Sequence, residues 1–437
     1  MNTFQYVMIV SVYIVSILIV SCSTSDPVDE DHITYERDIR PLYEERCIGC
    51  HQEGGIGPFR LDLYEDAKAS AILAKAATQS RTMPPWSVDN SGACKTYQHS
   101  RELTDAQIEM IAHWIEDGLL EGDPADAPAP KPSDELEGEI ITSKMPELYT
   151  PVPNSGGDDD RCFLLDTTFP RDAFVTAFEV VPGNPQVVHH LLMFTVDLEM
   201  NRQTIEALDA ETPEAGWPCF GSAGEGVFPS GLAGIWTPGV RISRYPEGTG
   251  LTVKGGEAIV LQVHYYAPAP RGADQTEIRF SITDQVEKPG AILLLDGLIG
   301  TAFSGQPFII PPGQADVRFT WNTAEDDFDP GDPMMQGPID PTRPYQVHGV
   351  FPHMHLIGRT FEANLVGNGI EPACATRIDE YEFEWQEMYF FEDPIQVQPG
   401  QSFEVTCGFD SRSRSAPTDP GFGAEQEMCS YILYAVQ

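Results

Sequence analysis

Basic residues are scarce in this chain. Its 437 residues carry 26 Lys and Arg against 67 Asp and Glu, a formal net charge of −41 at pH 7. Such a surface repels nucleic acid and anionic membranes, so neither is an expected partner. It suits a soluble body or basic redox proteins, and it selects no substrate. Long helical periods are also missing after residue 140, apart from 200–209, which excludes an all-helical body. Apolar content is ordinary at 41%, so most of the chain is not disordered. At this length about two to four domains are expected.

A membrane-length apolar run is missing too. The stretch from Tyr6 to Val20 is almost wholly apolar but shorter than the roughly 20 residues a spanning helix needs. Ser21 and Cys22 follow it. Residues 1–21 therefore read as a signal peptide, with an uncleaved anchor as the alternative. LIVSC resembles a bacterial lipobox, with Cys22 as the lipidated mature N-terminus, although MNTFQ carries no Lys or Arg. The expectation is an exported, membrane-anchored lipoprotein on the periplasmic or cell-surface side, where disulfides form.

Nine cysteines sort by context. Cys22 is the lipid candidate. Cys47 and Cys50 belong to Cys47-Ile48-Gly49-Cys50-His51, the c-type haem attachment pattern. Two thiols add to the haem vinyl groups and His51 offers its imidazole to iron. TYERDIRPLYEERC has the spacing of an amphipathic helix leading into this motif. LTDAQIEMIAHWIEDG is a second helix, with Thr104 as N-cap and Gly118 after its end. Between them, RTMPPW presents Met83 as the sixth iron ligand on a loop stiffened by two prolines. Met110, His99 and His113 are rivals. The stretch 33–122 resembles a class I-type cytochrome c in motif order. Residues 123–140, rich in Pro, Ala and acid, read as an extended linker. Cys94, Cys162, Cys219, Cys374, Cys407 and Cys429 remain, an even number whose pairing the sequence leaves open.

From 141 onward short apolar runs alternate with Pro-Gly and Asn-Gly turn signals, which reads as all-β. The length suits two β-sandwiches, 141–287 and 288–437. Histidines stand inside the apolar runs: His189 and His190 in VVHHLLMF, His264 in LQVHYY, His353 and His355 in FPHMHLIGR, with Met428 in EMCSYILY. Imidazoles hold both oxidation states of copper and a thioether favours Cu(I). Zinc competes for three histidines, but the methionine argues against it. His353 and His355, two apart on a strand, share a face while Met354 points away. His189 and His190 are adjacent, so they serve one metal only where the strand bulges or ends. His32, His99, His113 and His348 have no assignment, and His348, five residues before His353, reads as structural rather than as an outer partner of the metal site.

VVHHLLMF, LQVHYY, IIPPG, HMHLIGR and EMCSYILY, in that order, resemble the copper type II, ascorbate-dependent monooxygenases, the family of the dopamine and peptidylglycine enzymes. The resemblance covers roughly 150–437. It implies two jelly-roll-like sandwiches facing a solvent-filled cleft and two copper ions. His189, His190 and His264 would hold an electron-transfer copper. His353, His355 and Met428 would hold the oxygen-activating copper and be the catalytic set. It also implies the disulfides Cys407–Cys429 and Cys162–Cys219. Cys94 and Cys374 are left over, and a bridge between them would staple the haem domain to the second sandwich. The arginine and tyrosine with which peptidylglycine enzymes grip a carboxylate are replaced here by Phe351 and Ile432. That argues against a peptide C-terminus as substrate.

The implied activity is hydroxylation of a C–H bond in a small organic molecule by O2. Electrons would come from an ascorbate-like reductant or a periplasmic redox protein, relayed by the one covalent haem. The alternative is a haem and copper electron carrier without oxygen chemistry.

Overall fold

The computed structural model describes residues 32–129, 135–154, 157–219, 221–267, 272–324, 339–421, 423 and 425–437. The signal-peptide and Cys22 readings lie outside the described residues. Strands dominate, as the turn-punctuated apolar runs predict. Among the described residues the helices gather before residue 127, with two more at Leu198–Asp209 and Gly297–Phe303. Leu198–Asp209 is capped by the Asp197 carboxylate on the Glu199 N–H.

Two expected sandwiches share one sheet. A nine-stranded sheet runs Glu139–Lys144, Glu277–Thr283, Ala173–Val181, Thr249–Val253, Lys288–Leu293, Ser430–Val436, Tyr345–His353, Tyr389–Val397, with Ile242–Arg244 attached to Ala173–Val181. Its seam is Lys288–Leu293, which pairs parallel with Thr249–Val253 and antiparallel with Ser430–Val436. A five-stranded sheet covers the first half and a four-stranded sheet the second. Each layer pair encloses its own apolar core, one around Phe178, Phe194 and Tyr265, the other around Phe403, Tyr431 and Leu433. Glu257–Tyr266 is buried at all but its last residue, because the histidine strand Val188–Asp197 and the strand Asp158–Thr168 flank it.

The haem-motif region has a third core of Tyr35, Ile39, Tyr43, Ala67, Ala71, Ile111 and Trp114. The first expected helix is a π-helical turn, Tyr35–Ile39, running into Arg40–Arg46. Thr104 and Gln107 form a capping box on Asp105–Glu116, and Gly118 takes φ +89° after it. A helix at Tyr64–Gln79 was not anticipated.

The stretch 33–122 is not a self-contained body. Its residues 86–98 join the second sandwich. Val88 and Tyr97 lie in that sandwich's core, and Tyr97 stacks on Phe391 at 5.1 Å. Trp86 meets Tyr389 edge-on at 5.0 Å. The Gln98 N–H donates to the Phe390 carbonyl at 2.8 Å, and the Glu392 N–H to that of Thr96 at 3.0 Å. These bonds cover the outer edge of Tyr389–Val397, the last strand of the long sheet. A disulfide joins Cys94 to Cys374 across the same boundary. The others are Cys162–Cys219 and Cys407–Cys429. The haem-motif region is therefore docked rather than swinging on a tether, and the expected linker ends inside the strand Glu139–Lys144.

Candidate metal centres and haem cavity

His189, His190 and His264 converge. Val188 pairs with Tyr265 and His190 with His264, so His189 is the extra residue of a bulge. The bulge turns two adjacent imidazoles to one side. Their Nδ1 atoms lie 3.1 Å apart, and each lies 3.3 Å from Nδ1 of His264. Nitrogens bound to one ion at about 2.0 Å stand at comparable separations. The His264 Nε2–H donates to the Asp158 carboxylate at 2.9 Å, which leaves Nδ1 with its lone pair on the cluster. Burial, reinforced by His264, pushes the His189 pKa down to about 3 and that of His190 well below the ordinary imidazole value. Neutral imidazoles are what a metal requires.

His353 and His355 form a second set. Their ring centroids are 5.0 Å apart while Met354 is buried in the core behind them. Each Nδ1–H is occupied: that of His353 by the Gln386 side-chain oxygen, that of His355 by the Gln426 carbonyl at 3.1 Å. Both rings are left with Nε2 for a metal, the opposite nitrogen from the first cluster. Burial lowers the His353 pKa to about 4 and the His355 pKa to about 3. Met428 is half-buried, two residues before the Ser430 that pairs with His353. Glu427 beside it accepts from the His355 N–H at 2.8 Å and the Ile357 N–H at 2.9 Å. Burial raises its carboxyl to about 8 against these bonds.

One phenyl ring lies between the sets. The Phe383 centroid is 6.0 Å from that of His189, 6.3 Å from His264 and 6.0 Å from His355. Phe383 thus touches both sets, and the charges of His353 and His355 each oppose protonation of His190.

A cavity of about 780 Å³ holds the haem motif. Cys47, Cys50, His51 and Met83 all line it; Met110, His99 and His113 do not. Met110 packs on the helical core, His99 is exposed, and His113 faces Glu116 at the surface. The His51 Nδ1–H donates to the Phe59 carbonyl at 2.9 Å, which turns Nε2 inward. Both motif cysteines are unbridged, and burial raises the Cys47 thiol to about 12. Tyr43 Oη, Arg46 Nε and Arg101 Nε are buried on this cavity without a hydrogen-bond partner among the described residues. Haem propionates are acceptors of the kind these donors lack. Leu73, 62% exposed on its helix, also faces the cavity and would be covered. The residues fit a covalent haem. The far wall is formed by Val188, His189, Gly239 and Tyr266 of the first sandwich and by Glu384 and Trp385 of the second.

Sequence reasoning missed Asp158, Phe383, Gln386 and Glu427. Asp158 had a faint signal, because an acidic triplet stands on the strand paired with that of His264. Glu427 precedes the methionine. Phe383 and Gln386 sit in an irregular loop that no motif marks. His348 lies on the strand Tyr345–His353, 3.4 Å from Gln346 Oε1 and 6.5 Å from the Tyr434 ring between centroids.

Residues 298–437 match the copper type II ascorbate-dependent monooxygenase C-terminal domain, and 38–118 match cytochrome c. The chain is 25% identical over 315 residues to tyramine beta-hydroxylase of Caenorhabditis briggsae, covering 68% of this chain and 48% of that protein. It is 23% identical over 361 residues to DBH-like monooxygenase protein 1 of Mus musculus (77% and 56%). Against dopamine beta-hydroxylase of Canis lupus familiaris it is 26% identical over 280 residues (62% and 42%). The chain thus spans about half the length of the curated relatives it matches. A solved cowpea mosaic virus particle shows a TM-score of 0.28 at 9% identity over 68% of this chain and 89% of its own, too slight a likeness to bear on the fold. Ordered histidine motifs, a C-terminal domain match and a haem motif on its own cavity thus agree: residues 298–437 are similar to the C-terminal domain of the copper type II, ascorbate-dependent monooxygenases, and residues 38–118 to cytochrome c.

Proposed function

We propose that this protein is a copper-dependent monooxygenase that hydroxylates a C–H bond of a small organic substrate with O2, drawing its electrons through the fused haem domain. Two coppers would supply one-electron storage at His189, His190 and His264, and oxygen binding at His353, His355 and Met428. The chain's part is to keep four of the five imidazoles neutral by burial, to fix opposite ring nitrogens on the two sites, and to hold the sites on either side of Phe383. The observation that carries the relay is His189, which joins the first histidine cluster and also walls the haem cavity. One imidazole thus separates the two redox sites. His51 and Met83 are the proposed iron ligands.

The reading includes a cytochrome c-like stretch at 33–122 whose residues 86–98 pack into the second half, a linker at 123–140, and jelly-roll-like halves at 141–287 and 288–437 joined through one sheet. It includes export and a lipid anchor at Cys22. Three disulfides support an oxidising compartment. Among the described residues no helix is long and apolar enough to cross a membrane. An ascorbate-like reductant or a periplasmic redox protein would reduce the haem. The relatives' names point to arylethylamines, so phenethyl-type compounds are the first substrates to try.

Two measurements test this. Purified protein should contain two coppers and one haem, and the reduced form should take up oxygen with a phenethyl substrate far faster than a Met428→Ala variant. Equal uptake would favour a plain electron carrier. In single-turnover reduction by a periplasmic donor, a haem-free Cys50→Ala variant should load its coppers much more slowly than wild type. Equal rates would sink the relay.

A further inference from the structure

We infer that the loop Phe383–Glu387 links the haem cavity to the second histidine pair, so that occupancy of the cavity sets how His353 is held. The inference rests on the reading of the two metal sites and the haem cavity above.

Five consecutive residues make all the connections. Glu387 forms an ion pair with Arg101 of the haem-motif region; their side chains are 13% and 22% exposed. Arg101 itself lines the cavity. Glu384 and Trp385 form part of the cavity wall, and the Trp385 carbonyl accepts from the Ser87 hydroxyl at 3.4 Å. Gln386, next in line, takes the Nδ1–H of His353 on its side-chain oxygen. Its amide N–H donates back to the Phe383 carbonyl at 2.6 Å, which closes the turn. Phe383 carries its ring to both histidine sets.

The loop has no ladder of its own; it spans the gap between Ala373–Ile378 and Tyr389–Val397. Its conformation therefore depends on these side-chain contacts together with one turn bond, from the Trp385 N–H to the Glu382 carbonyl at 3.0 Å. Gln386 stands between Trp385 and Glu387; the Trp385 carbonyl and the Glu387 carboxylate reach Ser87 and Arg101 on the haem side. A filled cavity supports Trp385 and keeps Arg101 on Glu387. That fixes the Gln386 oxygen, and with it the tautomer and tilt of His353. An outer partner of this kind governs how well a histidine holds its metal. Gln386 and Glu387 are thus positioning residues for His353.

The test uses the full chain loaded with haem and Cu(II), read by copper EPR and by competition titration for each site. Glu387→Gln removes the ion pair with little change of shape. It should weaken copper at the second site by about 10-fold and alter that site's EPR signal, with haem content and the first site unchanged. Haem-free Cys50→Ala should alter the same signal. Gln386→Ala should reproduce the loss, and adding Glu387→Gln to it should cost nothing more, because both act through one bond. Trp385→Leu, which trims only the cavity wall, serves if Glu387→Gln does not fold, and it should shift the second-site signal in the same direction. An unaltered second site in whichever of these two variants folds, or full additivity in the double variant, would overturn the coupling. Wild-type protein that binds no copper or no haem would instead overturn the underlying site reading.

Discussion

Asp158 and His264 form a carboxylate–imidazole pair of 2.9 Å, and the pair decides which nitrogen of His264 faces His189 and His190. The aspartate is only 16% exposed, so water is a poor substitute for it. In Asp158→Ala the ring can turn or carry its proton on the inner nitrogen. Copper affinity of the first cluster should fall about 10–100-fold, with the second site unaffected. Chelator competition on the haem-loaded protein measures both. An unchanged first site would show that the pair orients nothing.

Gly57 lies against the ring proposed as an iron ligand. A Cβ at this position would stand 2.7 Å from His51 Nδ1 and 2.9 Å from the Cys50 carbonyl. Neither neighbour can retreat easily, since that same Nδ1 is bonded to Phe59 and the Cys50 carbonyl accepts from the Gly57 N–H. Gly57→Ala should therefore retain covalent haem, because Cys47 and Cys50 keep their thiols, but lose six-coordinate low-spin character. Optical and EPR spectra of the ferric protein report it. A wild-type spectrum would place the iron ligand elsewhere.

The Cys94–Cys374 bridge spans 280 residues of sequence and joins the haem-motif region to the second sandwich. Removing a cross-link over so long a loop should lower stability by about 2–4 kcal/mol, through freedom returned to the unfolded chain. Docking should nonetheless persist in the Cys94→Ser, Cys374→Ser double variant. Tyr97 and Val88 stay buried in the second core, and the strand-edge bonds at Gln98 and Glu392 do not involve the disulfide. Denaturant titration gives the first effect. Resistance of the native double variant to proteolysis near residues 86–98 gives the second.

The candidate metal-binding residues stood out because imidazoles inside apolar strand-like runs are unusual. The rings of His353 and His355 do meet at 5.0 Å between centroids, but the strand ends at His353 and His355 lies just past it, so period-two alternation does not bring them together; His189 with His190 demanded an irregularity, which the bulge supplies. The haem motif was legible as a contiguous string. What stayed hidden has no local signature. The seam at Lys288–Leu293 depends on a parallel pairing with Thr249–Val253 that no turn announces. The helix Tyr64–Gln79 hides its pattern, because its buried positions are Ala67, Ser70, Ala71, Ala74 and Thr78 while Ile72 and Leu73 point outward. Small residues give a faint hydrophobic period, and the outward leucine makes sense only with a ligand beside it. Val88 and Tyr97 read as loop residues of a small domain; their burial is decided by a sandwich nearly three hundred residues away. Gln386 and Phe383 acquire meaning only once three bodies meet at their loop.

A last prediction concerns Asp274, a carboxyl with no solvent exposure that accepts from the Thr276 hydroxyl at 2.8 Å, the Tyr265 hydroxyl at 3.0 Å and the Asn184 N–H at 2.9 Å. Burial raises its pKa above the ordinary aspartate value, and the hydrogen bonds only partly offset this. In the unfolded chain the group ionises near 3.8, whereas the folded chain holds its proton to higher pH. The favourable contribution is therefore complete below the unfolded value and is lost as pH rises through the folded one. Asp274→Asn keeps the shape but cannot ionise. Relative to wild type, the variant should be least stable at low pH and gain steadily as pH rises above 4, levelling off once the native carboxyl has ionised. Denaturant midpoints of both proteins at several pH values give the difference curve. A flat curve, or one sloping the other way, would mean that Asp274 ionises as easily inside the protein as outside it.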